Sequence, residues 1–296
     1  MSHRDFRSAR RRLSPSAFLA GPRGPDPPAP DLVDPGTWSS IICFPDDVSI
    51  RTADRCGTAL RTAWSMRSAW IDVAGSLQDG TPDPGGSPIT YAALDATDEL
   101  HASVYTALVG FYRVAFSTLR AIVEHMTVGL HLELAQDESA LRAWRDGTSE
   151  LRFGDAANVL HRNVAIARLE NHLDKVSGGT LFRQKTTTAE PGCARRLFCD
   201  LSKFTHGDPP LTHAEMWDGT GPVFDGRAFD VWLGAYYETY ALCLLEAKLA
   251  RPSLSIQQGE APCTLQELYS QAVAVVAKQS DDEFVSVLNA VPDCLW

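Results

Sequence analysis

The 45 residues from Thr90 to Leu134 contain no proline, and their interior glycines are Gly110 and Gly129 alone. Along them Val104, Leu108, Phe111, Ala115, Leu119, Ile122, Val123, Met126 and Leu130 return every three or four residues. That is the period of one helix face. The spacing predicts one long helix, or two that meet near Asp98. A continuous apolar stripe of this length has to be buried against other elements, so the rest of the chain is constrained to cover it.

The flanking segments have the same period. Leu60, Trp64, Ala69, Trp70 and Val73 predict a helix from about Thr52 to Leu77, closed by the loop Asp79–Gly86. A short helix follows at about Glu138–Arg145, stopped by Asp146-Gly147. Another is expected from Asp155 to about Val176, carrying Val159, Leu160, Val164, Ile166, Leu169 and Leu173, with a loop over 180–190. Pro191 opens a helix that ends at His206, where Gly207 takes the usual place just past a helix end and Asp208-Pro209-Pro210 forbids continuation. A strongly apolar helix runs from Asp225 or Gly226 to Ala250. Thr264-Leu265-Gln266-Glu267 is a capping box for a helix to about Lys278, and a last short helix spans about Asp281–Asn289. Only residues 38–51, with Ile41-Ile42-Cys43-Phe44 and Val48-Ser49-Ile50, suggest a short extended piece or hairpin. The fold class expected is an all-α helical bundle. Residues 1–37, rich in proline and arginine, are expected as a disordered or loosely draped tail, and 38–296 as a single helical domain.

Apolar residues are 44% of the chain and charged residues 22%, which excludes collagen, a disulfide miniprotein and a wholly disordered chain. The net charge of −10 argues against a nucleic-acid coat or a membrane-surface protein, both of which need positive charge to meet phosphate. Seven cysteines with no CxxC pair exclude zinc ribbons and read as free thiols in a reducing compartment. No apolar run reaches the length of a membrane span, and Ala17-Phe18-Leu19-Ala20 is too short for the core of an export signal. The expectation is a cytoplasmic protein with no membrane partner.

Phosphate loops, GxGxxG, GxSxG and HExxH are absent from the sequence. His125 and His131 are six apart on one helix, so their rings do not face one way; no metal and no cofactor are expected. Two clusters remain. Arg120 and Glu124 are one turn apart among Leu119, Ile122 and Val123, and His125 follows. They form either a self-satisfied ion pair that fixes helix register or a polar group aimed at a cleft. The second cluster, Arg195-Arg196 through Ser202-Lys203 to His206, ends a helix. His206 there is either a helix-terminating cation or an acid, base or ligand donor beside Lys203 and an arginine.

A helix with Arg-x-x-x-Glu, a leucine-rich middle helix and a helix ending in Ser-Lys-x-x-His-Gly together resemble the HEPN-type helical domains of prokaryotes. The resemblance covers about residues 98–250 and rests on Arg120, Glu124, Ser202, Lys203, His206, Gly207 and the helix from 225 to 250. It implies a HEPN-like core with extra flanking helices and a homodimer. It also implies a metal-independent endoribonuclease, or an RNA-binding effector of a toxin–antitoxin or anti-phage system. The family's catalytic signature, an arginine followed four to six residues later by a histidine, matches Arg120 and His125. On this reading Arg120, Glu124, His125, Lys203 and His206 are the catalytic candidates, and Arg195, Arg196 and Ser202 the RNA- or ligand-binding ones. Two other readings stand beside it: a non-catalytic helical module that binds a partner protein, and a small-molecule or nucleotide sensor using a cleft near Arg120 and His206. A basic concave surface would favour the nuclease, and an exposed apolar patch the binding module.

Overall fold

The computed structural model describes residues 34–79, 87–206, 222–256, 264–279 and 283–295. The expected tail over residues 1–33, the loop after Asp79 and the helix stop at Gly207 to Pro210 therefore lie outside the described residues, as does the side chain of His206.

Among the described residues there are ten helices of eight or more residues: α1 (Phe44–Asp79), α2 (Pro88–Leu108), α3 (Tyr112–Ala135), α4 (Glu138–Arg145), α5 (Phe153–Arg162), α6 (Val164–Ser177), α7 (Cys193–His206), α8 (Gly226–Ala250), α9 (Leu265–Gln279) and α10 (Glu283–Ala290). No strand occurs among the described residues, and the protein is all-α. α3 is the central rod. α2, α5, α7 and α8 pack around it, α1 lies on α2, and α9 lies on α8. One buried cluster runs from Ala63 to Val291, with Trp70, Phe116, Trp232, Tyr236 and Tyr240 fully enclosed.

Local chemistry explains the helix ends. Asp137 accepts hydrogen bonds from the Ser139 and Ala140 amides and starts α4; Asp225 accepts one from Ala228 and starts α8. The capping box at α9 is formed in both directions, Thr264 N to Glu267 Oε2 at 2.7 Å and Glu267 N to Thr264 Oγ1 at 3.1 Å.

Three sequence expectations are corrected. Residues 38–51 are not extended: a π-helical turn, Ser39–Cys43, leads directly into α1, where Asp46 and Asp47 lie in the first turn. Acidic side chains there favour the helix dipole, and Ile41 and Ile42 are exposed, so neither has a sheet face to join. α1 itself is kinked at Cys56. The long 90–134 segment breaks at Val109–Phe111 rather than near Asp98. Gly110 sits there at φ +82°, and a Cβ on it would lie 2.3 Å from the carbonyl oxygen of Val223. The segment 155–176 is two helices: Asn163 is extended and caps α6 through the Ala165 amide at 2.8 Å. The break leaves Val159 and Val164 outside the core while Leu160, Ile166, Leu169 and Leu173 stay in it.

Candidate functional site

The Arg-x-x-x-Glu pair lies on α3 where that helix meets α7. Arg120 Nη1 is 3.0 Å from Glu124 Oε2, and the two side chains are 23% and 24% exposed. Arg120 Nε donates to Ser202 Oγ on α7 at 3.1 Å, and the guanidinium lies 4.7 Å from the centre of the Phe198 ring. Ser202 is in turn a donor to the Phe198 carbonyl at 2.7 Å. Glu124 Oε1 faces the Phe153 amide, the first residue of α5, at 3.5 Å, and Phe153 stacks on Phe198 at 4.0 Å. Charge, hydroxyl and rings thus tie α3, α5 and α7 at one point. This half-buried arginine thus has a carboxylate, a hydroxyl and an aromatic face as partners within the bundle.

The seam extends beyond the motif. Arg113 lies seven residues before Arg120, on the same face of α3. Its Nε and Nη2 donate to the carbonyls of Phe204 and Thr205, at 3.0 Å and 3.2 Å, at the negative end of α7. Ser117, between them, is 3.4 Å from Thr205 Oγ1, and Phe116 stacks on Phe204 at 3.9 Å. Arg113 and Ser117 were not among the sequence candidates. Their spacing with Arg120 and Glu124, at intervals of three and four, was the signal that could have found them.

His125 is on the same helix but on another side. Five residues rotate a helix by about 140°, which carries its ring away from Arg120. It lies in the field of Glu99 on α2, whose carboxyl burial pushes up and His125 draws back. The spacing that matches an Arg-x4-His signature therefore does not bring Arg120 and His125 onto one surface. Lys203 is exposed and pairs with Asp200 at 2.6 Å, one turn earlier on α7. His206 ends α7, close to the carbonyls that Arg113 caps, and its side chain is outside the description.

Arg195 and Arg196 start the same helix. Arg195 donates to the Phe182 carbonyl and to Asn158 Oδ1, both at 2.6 Å, and so clamps the 180–183 segment to α5. Burial lowers its pKa. Arg196 is half-buried near Cys193, whose thiol burial pushes up while Arg196 opposes the shift. Among the described residues no group of three His, Cys, Asp or Glu is placed to hold a metal ion, and no helix is long and apolar enough to cross a membrane.

Comparison with models of protein families, with characterised proteins and with solved structures yields no match.

The arrangement at Arg120 is a packing seam, and its energetics can be measured. Arg120→Ala and Glu124→Ala are each expected to lower the unfolding free energy by about 1–2 kcal/mol, since each leaves a half-buried partner unpaired. The double variant should lose clearly less than the sum of the two in a denaturant-melt cycle. Strict additivity would mean that the pair is not coupled.

Proposed function

We propose that the chain is a non-catalytic helical interaction module, and that it meets a protein partner along the outer face of the α1–α2 hairpin. The observation that carries this reading is an exposed apolar stripe on that face. Trp64, Ile71, Leu94 and Tyr105 are 43%, 44%, 43% and 58% exposed. The two helices run antiparallel: Trp64 meets His101 ring to ring at 5.0 Å, Trp70 Nε1 donates to Ala93 O at 2.9 Å, and Thr90 Oγ1 faces Leu77 O. Trp64 and Ile71 are seven apart on α1, and Leu94 and His101 seven apart on α2. The four therefore stand side by side at two levels, with Tyr105 one turn beyond. The sequence places Trp64 in a core stripe with Trp70 and Val73. Those two are enclosed, and Trp64 is outside with Arg67 lying 5.3 Å over its ring. Large apolar side chains gathered on one surface mark interaction sites more often than isolated ones do.

The nuclease reading asks more of the same residues. Arg120 would have to leave Glu124 and Ser202, and a histidine would have to reach it across the turn of α3. The interaction reading asks for no rearrangement.

A photo-crosslinking amino acid placed at position 64 or 105 in cells is expected to yield a protein adduct, whereas the same group at Lys175 on α6 yields none. Leu94→Glu should remove the adduct while the helical circular-dichroism signal is unchanged. Absence of any adduct from 64 and 105 overturns the reading. So does cleavage of transfer RNA by the purified chain in EDTA that His125→Ala or His206→Ala abolishes.

A further inference from the structure

We infer that α4 is a hinged lid, which lifts off α3 as a unit and uncovers a second apolar cluster while the rest of the bundle stays closed. Val128 and Leu132 of α3 and Ala156 of α5 are 1%, 2% and 1% exposed, yet they form a cluster of their own, apart from the main core. Val123 and Val128 both lie on α3, about 140° apart around the helix. The first is enclosed by the main core. The second is closed over by Ala140, Leu141 and Trp144 of α4 and by Leu151, all four of which are themselves only partly buried. From Ala135 to Arg152 no residue is buried, although Leu132 and Phe153 on either side are.

Both ends of the lid are turned by left-handed backbone. Gln136, between α3 and α4, is at φ 52°, and among the described residues it is the one non-glycine at positive φ. Gly147, just past α4, is at φ 66°. Left-handed backbone disfavours a residue with a Cβ, so Gln136 gains when it leaves that conformation. The bonds that shape α4 travel with it. Asp137 accepts from the Ser139 and Ala140 amides, and the Thr148 and Ser149 amides return to the Ala143 carbonyl. Arg145 reaches out to α2, its guanidinium 4.9 Å from the centre of the Tyr91 ring. A helix shaped from within, and held to its support by a few half-buried side chains, opens at lower cost than the bundle does.

Thiol labelling of the full chain tests the lid. Valine and cysteine are close in size and both suit an apolar site. The stretch from Ala121 to Arg142 holds no native cysteine, so iodoacetamide adducts at 123 and 128 can be read on one tryptic peptide. Val128→Cys is expected to react roughly a hundredfold or more faster than Val123→Cys in native buffer, because the lid opens more often than the core. Adding Trp144→Ala should speed labelling at 128 by roughly tenfold and leave 123 unchanged, since it removes apolar contact from the lid alone. Equal rates at the two positions overturn the inference. So does a rate at 128 that Trp144→Ala leaves unchanged, or a rise that position 123 shares. Hydrogen exchange of the unsubstituted chain gives a second check: the amides of Leu141 to Arg145 should exchange well before those of Leu119 to Val123. Exchange of both stretches at one pace overturns the lid.

Discussion

Replacing Glu170 with alanine is expected to lower the unfolding free energy by about 3 kcal/mol, and to free the segment before α7 before the rest of the bundle opens. Glu170 is 4% exposed, on α6, and its two oxygens accept the backbone amides of Leu181 and Phe182 at 3.0 Å each. Those residues are fully buried, so removing the carboxylate leaves two enclosed N–H groups with no acceptor. Each such group costs about 1–3 kcal/mol, and partial relaxation recovers some of it. The segment is held from the other side as well. Arg195 donates to the Phe182 carbonyl, and the amides of Cys193 and Ala194 donate to Thr180 and Leu181 at 2.8 Å and 3.0 Å. A Cβ on Gly192 would come within 2.3 Å of the Leu181 carbonyl oxygen, so the two strands of chain lie in backbone contact. Hydrogen exchange of the Leu181 and Phe182 amides checks the result: strong protection in the wild type and early loss in Glu170→Ala. Glu170→Gln, which keeps one acceptor oxygen, should retain part of the protection. Unchanged exchange in the alanine variant would show that other groups hold the segment.

The bundle was legible because its signals are local. The stripe of α3, the capping box at Thr264 and Glu267, and the Asp146-Gly147 stop after α4 depend on residues within a turn or two of one another. The misplaced breaks depend on distant ones. Gly110 is required by the backbone of Val223, more than a hundred residues later, and nothing near Gly110 announces that contact. Asn163 reads as one polar residue in an amphipathic run, and its role as the cap of a new helix follows only once α5 and α6 have turned apart. Ile41 and Ile42 are β-branched and apolar, yet the acidic first turn of α1 draws them into helical backbone.

The candidate site divides the same way. Arg120 and Glu124 pair at one turn, as spacing alone indicates. Ser202 and Phe198 complete the arginine's surroundings from a helix 80 residues away, and a sequence pattern carries no such pairing. The helical angle between Arg120 and His125 was available from the sequence, and it already separates the two rather than joining them. Trp64 illustrates the opposite error. A tryptophan at helical spacing reads as core, but the side of α1 that α2 and α8 cover passes through Trp70 and Val73 and leaves Trp64 at its edge.

Stability is expected to fall as pH rises from about 5 to 8, with one buried carboxyl as a principal cause. Glu246, on α8, is completely enclosed. Thr127 Oγ1 on α3 donates to its Oε1 at 2.7 Å, while its Oε2 has no hydrogen-bond partner among the described residues. Burial pushes its pKa up from 4.5 to about 8, and the Thr127 hydrogen bond limits the rise. Cys243, one turn earlier on α8, is equally enclosed, and the Glu246 carboxylate adds to the upward shift of its thiol. The folded protein therefore keeps a proton on Glu246 through a range in which the unfolded chain has released it. The contribution is fully present below the unfolded value, declines by up to about 1.4 kcal/mol per pH unit between the two values, and levels off above the folded one. Across about pH 5 to 8 the loss amounts to roughly 3 kcal/mol. Glu246→Gln keeps an acceptor for Thr127 and cannot ionise. Its stability relative to wild type should thus rise with pH over this window, and that difference cancels what other titrating groups contribute equally to both proteins. Urea melts of the two proteins across the range provide the measurement. Parallel curves would mean that Glu246 is ionised in the folded state at neutral pH, with its charge answered by a group that burial has not silenced.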